Sequence, residues 1–309
     1  MTYQTFDVEH PGDSDSYAKL EALRLNPARF KGVDVLDLGC NEGFFSGKAR
    51  EYGARLVRGV DIDWGLIQKA SERFPDVDFE NRSWDDELPD DCGKKWDIIL
   101  MLSASHYVED QPVFFGHVAE SLSDDGIFVL ECGISQICQD GWQRVTRADG
   151  SMVKYPSLGV LQGMLRGAGL TSRVAGPSVS QRGDPIGRYV VHCYVRHPSI
   201  MVVSGLSRAG KTLLCESLNI PYFSVDDFVA KTAMLEDAAW CKLITSRNLS
   251  GFYEALASDP APLAGFLESL FDSIPKQDTV VIDAVDTVSA EILRHGTSLG
   301  YRAWAATKW

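Results

Sequence analysis

Short apolar runs alternate with amphipathic stretches of helical period along most of the chain. In the first part these runs are rich in β-branched residues and predict strands near residues 33–38, 56–61, 77–81, 96–102 and 126–132. Helical stretches separate these runs, a pattern that is typical of a parallel sheet covered on both faces. The sequence therefore predicts an α/β fold.

Two further strands are expected near 171–176 and 188–195. No helical pattern lies between them, so we expect them to pair as an antiparallel hairpin. A polar break at 196–199 then precedes a new apolar run at 200–204, which places a domain boundary at about residue 197. We expect one domain over 1–197 and a smaller α/β domain over 198–309.

Composition limits the class of protein. A chain of 309 residues with 45% hydrophobic and 24% charged residues has the length and polarity of a two-domain globular protein. It has no apolar run near the ~20 residues of a membrane span, and its first residues lack a signal-peptide profile. Seven irregularly spaced cysteines favour reduced thiols and a cytoplasmic protein. The net charge of −13 disfavours non-specific binding to nucleic acid, so a nucleic-acid substrate is the less favoured expectation, although a local basic patch is still compatible with it.

A glycine-containing turn follows the first predicted strand. Asp37, Gly39, Asn41 and Gly43 lie in this segment, and glycine lets the backbone approach a ligand closely. In open α/β sheets, ligands bind beyond the carboxyl ends of the strands. Asp61 ends the second predicted strand, one strand–helix–strand unit later, where a carboxylate can bind ribose hydroxyls. The pattern predicts a site for a nucleotide-like cofactor.

Residues 33–132 resemble a class I S-adenosylmethionine (SAM)-dependent methyltransferase, through the segment Asp-x-Gly-Cys-x-x-Gly and the acid that ends the second strand. The resemblance implies a Rossmann-like sheet that closes with an antiparallel hairpin. A dinucleotide-dependent enzyme is the alternative. The methyltransferase resemblance places the following residues at cofactor-binding positions: Asp37, Gly39, Asn41, Gly43, Asp61, Asp63, Trp84, Asp85 and Ser103.

The fourth predicted strand runs into a segment that contains His106 and Tyr107. A hydroxyl acceptor loses its proton during methylation, and a histidine that titrates near neutral pH is suited to accept it. His106 is therefore a candidate base for O-methylation, although it could instead bond the backbone near the cofactor. Glu131, at the end of the fifth predicted strand, is a second candidate.

Arginine and aromatic residues are frequent in the two segments that follow. Arginine is suited to carboxylate or phosphate recognition, and aromatic faces are suited to sugars and rings. We expect a sugar-like or anionic acceptor; ordinary solvated surface charges are the alternative. With Tyr107, the candidate substrate-binding residues are Arg144, Arg147, Tyr155, Arg182 and Arg188.

A second loop, Gly-x4-Gly-Lys-Thr, spans 205–212 and follows an apolar strand. This is the P-loop pattern, in which backbone amides surround the phosphates of a nucleotide. Gly205, Ser207 and Gly210 belong to the loop, Lys211 is expected to contact phosphate, and Thr212 is expected to bind Mg²⁺. An incidental glycine turn is the alternative.

Acidic residues after the loop resemble those of P-loop small-molecule kinases that use ATP. The resemblance implies that Asp226 receives the proton of an acceptor hydroxyl, that Asp227 contacts the substrate, and that Asp283 supports Mg²⁺. Either Asp226 or Asp227 could instead cap a helix.

The chain lacks the arginine-bearing lid with which such kinases usually continue. Three explanations remain open. Arg208, Arg247 or the first domain supplies the positive charge; the domain binds nucleotide without transferring phosphate; or the sequence is truncated.

The leading interpretation is a bifunctional methyltransferase and ATP-dependent kinase that acts on a glycan or small anionic metabolite. In domain order and in its first loop, the chain resembles the bifunctional methyltransferase–kinases that cap bacterial O-polysaccharides, whose kinase half has a different fold. A single methyltransferase regulated by a nucleotide-binding domain is the main alternative. A nucleic-acid end-modifying methyltransferase is less favoured.

Overall fold

The computed structural model describes residues 3–7, 12–84, 88–89, 93–137, 141–146, 150, 152–179, 186–205, 210–218, 220–232, 238–244, 248–274 and 279–308. The chain divides into two compact units, Met1–Arg196 and His197–Trp309.

The first unit is built on a mixed seven-stranded sheet. Its strands are β1 (Asp34–Leu38), β2 (Leu56–Asp61), β3 (Asp78–Asn81), β4 (Trp96–Leu102), β5 (Leu122–Gly133), β8 (Leu170–Pro177) and β9 (Arg188–Val195). Their order is β3-β2-β1-β4-β5-β9-β8. The first five strands are parallel, and β1 is central with every residue buried, as expected for a continuous apolar run.

The predicted antiparallel hairpin is confirmed. β9 pairs antiparallel with both β5 and β8. A second hairpin, β6 (Trp142–Thr146) with β7 (Met152–Pro156), forms a separate two-stranded sheet that the sequence analysis did not anticipate. Exposed and partly buried positions alternate along β6, so it has no buried apolar run by which a strand would be recognised.

Among the described residues of the first unit, five α-helices accompany the sheet. They are α1 (Ser16–Ala22), α2 (Phe44–Glu51), α3 (Trp64–Arg73), α4 (Gln111–Ser121) and α5 (Leu158–Gly167). A Ser or Asp side chain accepts a backbone N–H at the start of four of them, at Asp15, Asp63, Asp110 and Ser157. The fifth, α2, begins at Gly43 in the left-handed conformation, so its start is set by the glycine turn after β1.

The second unit contains a four-stranded parallel sheet. Its strands are β10 (Ser199–Gly205), β11 (Tyr222–Ser224), β12 (Thr279–Asp283) and β13 (Arg302–Lys308), in the order β11-β12-β10-β13. Its helices are α6 (Lys211–Ser217), α7 (Val225–Thr232), α8 (Leu249–Ser258), α9 (Pro260–Ser273) and α10 (Asp286–Ser298).

Each unit has its own hydrophobic core. Buried side chains from β1, β2, β4 and β5 fill the core of the first unit, and the partly buried Phe79 of β3 packs against it. In the second unit, Phe228, Trp240, Phe252 and Phe266 pack their rings together beside the apolar residues of β10 and β12. Over the part of the chain that the structure describes, none of the helices has the length and apolar character needed to span a bilayer.

Candidate active site

A cavity of about 340 Å³ opens at the carboxyl ends of β1, β2 and β4. Strands of a parallel sheet bring their ends to one edge, so residues distant in the chain meet there. The sequence-predicted residues on its wall are Asp37, Gly39, Asn41, Asp61, Trp84, Ser103, His106, Tyr107 and Arg188. One cavity thus collects most of the residues predicted for the cofactor and several of those predicted for the acceptor.

The loop after β1 is held in left-handed backbone conformations. Gly39 has a φ of +74°, and a Cβ there would lie 3.1 Å from Cβ of Ala104 and 3.2 Å from the ring of Trp84. Asn41 has a φ of +55°, and its backbone N–H donates to Oδ2 of Asp61 at 2.9 Å. The carboxylate that ends β2 therefore fixes the loop that ends β1.

Asp37 lies on the cavity wall but is almost completely buried. The hydroxyl of Ser46 donates to its Oδ2 at 2.6 Å. Burial raises the pKa of Asp37 to about 6, an effect that the Ser46 hydrogen bond only partly offsets. A cationic ligand in the cavity would favour the ionised form of this carboxyl group.

Asp61 and Asp63 lie in different surroundings. Oδ1 of Asp61 accepts the backbone N–H of Asp63 at 3.0 Å, and Asp61 is on the cavity wall. Asp63 is absent from that wall; its side chain accepts the N–H of Leu66 at 3.2 Å and caps α3. This capping contact accounts for Asp63 without a ligand.

Ser103 connects the cavity to two buried charges. It follows β4 with a φ of +61°, and its hydroxyl donates to Oε2 of Glu131 in a short hydrogen bond. Nζ of Lys19 donates to the same hydroxyl at 2.9 Å and lies 3.7 Å from Oε2 of Glu131. Glu131 is fully buried and is not on the cavity wall, so among the residues the structure describes its nearest route to a ligand is through Ser103.

His106 lies between two cavities. It belongs to the 3-10 turn Ser105–Tyr107, and its ring centroid is 4.1 Å from that of Tyr107 and 6.0 Å from that of Tyr155. A second cavity of about 470 Å³ shares His106 and is also lined by Trp142 and Met152 of the β6–β7 hairpin. This placement gives His106 access both to the cofactor cavity and to a space for an acceptor.

Two candidate substrate residues on the hairpin do not reach the first cavity. Tyr155 is buried, and its ring occupies the space beside Gly133, where a Cβ would lie 2.6 Å from Cδ1 of Tyr155. Arg144 is exposed on β6 and lines neither cavity that borders His106.

Sequence reasoning missed the N-terminal segment, which supplies Tyr3, Gln4, Ser14, Ser16 and Lys19 to the cavity wall. Oε1 of Gln4 accepts the N–H of Phe44 at 3.1 Å, and its Nε2 donates to the carbonyl of Cys40 at 3.2 Å. The capping residue Asp15 marks the start of α1 in the sequence, but nothing there indicates that Lys19 points inward.

In the second unit, the helix that follows β10 contacts the carboxyl ends of β10 and its neighbour β12. Oγ1 of Thr212 donates to Oδ2 of Asp283 at 2.8 Å, across 71 positions of the chain. Lys211 donates to the carbonyl of Gly205 at 3.2 Å, and Gly210 takes a left-handed φ of +77° at the start of α6. Burial raises the pKa of Asp283 above its ordinary value.

The acidic pair lies in the first turn of α7. Oδ1 of Asp226 accepts the hydroxyl of Tyr253 at 2.7 Å. Burial, and then this hydrogen bond, raise the pKa of Tyr253, so its hydroxyl remains protonated. Ser224 accepts the backbone N–H of Asp227 at 3.2 Å, so Ser224 makes the capping contact that was considered for the two aspartates.

Four candidate site residues lie outside the described residues: Asp85, Arg147, Arg182 and Ser207. Arg208 and Arg247, considered as sources of positive charge for the second unit, also lie outside them.

Comparison with known proteins shows that part of the first unit is similar to methyltransferases. Residues 36–128 match the model of a family described as a methyltransferase domain. A ubiquinone biosynthesis O-methyltransferase from Azorhizobium caulinodans is 30% identical over 112 residues, which cover 36% of this chain and 43% of that protein. A ribosomal protein L11 methyltransferase from Dictyoglomus turgidum is 32% identical over 106 residues, 34% of each. The matches therefore span less than half the length of these curated relatives.

A solved S-adenosylmethionine-dependent methyltransferase from Mesorhizobium loti is also similar, with a TM-score of 0.46 and 23% identity over 57% of this chain and 97% of that chain. The family match over residues 36–128 and the strand order together support a SAM-dependent methyltransferase domain with a Rossmann-like fold in the first unit.

Proposed function

We propose that the protein is a SAM-dependent methyltransferase that acts on a small molecule or glycan through the cavity of its first unit. The observation that carries this proposal is the convergence of the glycine loop, Asp37 and Asp61 on one cavity at the carboxyl edge of the sheet.

The residues present fit a sulfonium nucleoside. Gly39 brings bare backbone to the cavity wall, where a Cβ would crowd Ala104 and Trp84, and Asp61 is available to the ribose hydroxyls while it supports the loop. Trp84 provides an aromatic face on the cavity wall for the adenine. Asp37 places a carboxyl group near a cationic ligand. When bound, SAM supplies an electrophilic methyl group.

His106 is the candidate base for the acceptor. We infer that the acceptor hydroxyl gives its proton to the imidazole as its oxygen attacks the methyl carbon, while the carbon–sulfur bond breaks with its electron pair on sulfur. The position of His106 on both cavities supports this role over that of Glu131, which is fully buried.

Isothermal calorimetry with SAM and S-adenosylhomocysteine tests the cofactor assignment. We expect saturable binding of both compounds, and loss of methyl transfer with retained cofactor binding in His106→Gln. The absence of binding to well-folded protein would overturn the proposal. A screen of metabolites and glycans that follows SAM consumption, with and without MgATP, would identify the acceptor.

We further propose that the second unit binds MgATP and transfers phosphate to a hydroxyl acceptor. The contact between Thr212 and Asp283 supports this proposal, because a P-loop hydroxyl and a carboxylate at the end of a neighbouring strand together hold Mg²⁺ in P-loop enzymes. Asp226 would take the acceptor proton, with Tyr253 fixing the orientation of its carboxylate.

A nucleotide-sensing role, in which the second unit binds nucleotide without transferring phosphate, is the alternative. Labelled ATP separates the two. Phosphate incorporation that is lost in Asp226→Asn supports a kinase. ATP binding that changes the methylation rate without phosphate transfer supports a sensor.

A further inference from the structure

The cavity of the first unit has an acidic half and a basic half. Asp37 and Asp61 line it at the ends of β1 and β2, whereas Lys19 and Arg188 line it on the side of β4, β5 and β9. Strand pairing explains why Arg188 lies near Ser103, the hydrogen-bond partner of Lys19. Leu102, which precedes Ser103, pairs with Glu131, and Gly133 pairs with Arg188, so the ends of β4 and β5 and the start of β9 lie along one edge.

Lys19 is an unusual lysine. Its side chain is only 2% exposed, although it lies on a helix of a surface layer and lysine is rarely buried. Its nearest acidic group is Glu131, which is fully buried and has one carboxylate oxygen, Oε1, without a hydrogen bond among the described residues. A buried ion pair of this kind contributes little net stability, because desolvation offsets the attraction. Anchoring α1 therefore does not explain the pair well.

The ammonium group has hydrogen-bonding capacity left for a ligand. Among the residues that the structure describes, one of its three N–H donors goes to the Ser103 hydroxyl at 2.9 Å, and Glu131 lies beyond hydrogen-bond distance at 3.7 Å. The ring of Tyr3, 5.8 Å from Nζ, covers another side of the group. Ser103 and Glu131 thus hold Nζ at the cavity wall.

We propose that this basic half binds a carboxylate group, with Lys19 and Arg188 as its ligands. The inference rests on the proposed methyltransferase function. A sulfonium compound is matched by the carboxylates of the acidic half. An anion is matched by the ammonium of Lys19 and the guanidinium of Arg188, both of which are buried, and burial strengthens charged hydrogen bonds. The carboxylate belongs either to the methionine part of SAM or to the methyl acceptor.

Wild-type protein provides the first test. S-Adenosylhomocysteine carries the cofactor's carboxylate and 5′-methylthioadenosine lacks it. Calorimetry with both compounds therefore shows whether the site binds the carboxylate of the cofactor. Benzoate and benzamide, added to protein saturated with S-adenosylhomocysteine, show whether the site binds a carboxylate of the methyl acceptor. Equal affinities within both pairs would overturn the proposal without any variant. No binding of S-adenosylhomocysteine would reject the proposed function itself, and the inference with it.

The variants Lys19→Met and Lys19→Arg then show whether Lys19 causes the difference in affinity between the compounds with and without a carboxylate. If the cofactor is the source, Lys19→Met weakens S-adenosylhomocysteine binding about tenfold or more and leaves 5′-methylthioadenosine unchanged. If the acceptor is the source, only the preference for benzoate over benzamide is lost. Lys19→Arg retains most of either effect, because it keeps the charge.

Lys69→Met is the matched control. Lys69 also pairs with a buried glutamate, Glu42, at 2.9 Å, but it is not on the cavity wall. Lys69→Met should change the thermal stability of the protein without changing its affinity for any of the four compounds. If Lys19→Met folds and behaves like Lys69→Met for all four compounds, Lys19 has a structural role only and the proposal is wrong.

Discussion

We expect Asp37 to make binding of the proposed cofactor depend on pH. Its pKa is raised to about 6 by burial, so the free protein holds a proton there below that pH. A cationic ligand favours the ionised form, which lowers the pKa in the complex. Binding must then release a proton below about pH 6, and affinity falls as pH decreases through that value.

We therefore predict that SAM affinity is constant above about pH 6 and falls by up to about tenfold per pH unit below it. Asp37→Asn should bind SAM more weakly at neutral pH and show no such dependence. Asp63→Asn is the control, because an asparagine side chain can still cap α3 and this position is not on the cavity wall. A wild-type pH profile in Asp37→Asn would assign the titration to another group.

Thr212 allows a test of the second unit at the same scale. We predict that Thr212→Ala weakens Mg²⁺-dependent ATP binding about tenfold or more, because it removes both the hydroxyl and its contact with Asp283. SAM affinity should not change. Ser217→Ala, an exposed change on the same helix, should leave ATP binding as it is. Equal ATP affinity with and without Mg²⁺ in all three proteins would contradict the proposed metal role.

At the scale of elements, the turn between β1 and α2 is set by backbone conformation. Gly43 has a φ of +85°, and a Cβ there would lie 2.8 Å from the ring of Phe79 and 3.1 Å from Cβ of Ala70. The sequence pattern marked this glycine as part of a cofactor loop, but the structure adds that β3 and α3 pack too closely around it for a side chain.

We predict that Gly43→Ala destabilises the first unit by about 2 kcal/mol and lowers its melting temperature by roughly 4–8 °C. Gly163→Ala provides the contrast: Gly163 lies inside α5 with open space around it, so alanine should stabilise by about 0.5–1 kcal/mol. Circular dichroism melts of both variants measure the effect. An unchanged melting temperature in Gly43→Ala would show that the turn can relax without loss of stability.

Elements also show how far a sequence pattern reaches. The strands of the first sheet, and β10 of the second, were predicted near their observed positions, because continuous apolar runs are local features. The β6–β7 hairpin was not, although it shapes the cavity beside His106. Its strands are short and half-exposed, so their pairing is decided by the surface they cover.

At the scale of the whole molecule, each core consists of residues from one unit only. We predict two transitions in differential scanning calorimetry. S-Adenosylhomocysteine at about 100 times its Kd should stabilise one of them by about 2.7 kcal/mol, and MgATP should raise only the other. A fragment of residues 1–196 should retain the first transition and its response. A single transition raised by both ligands would show that the two units unfold together.

The sequence by itself determined the alternation of strands and helices, the two loops and the acids that end their neighbouring strands. Each of these is encoded within a few residues by period, glycine and charge. Only the tertiary structure decided that Lys19 is buried beside Ser103 and Glu131, that Asp63 caps a helix rather than lining the cavity, and that Thr212 meets Asp283. The Lys19 and Thr212 contacts depend on which distant segments meet at one end of a sheet, and a pattern of a few neighbouring residues does not determine which segments those are. The Asp63 cap is a local contact, but only the structure shows that this side chain turns to α3 and not to the cavity.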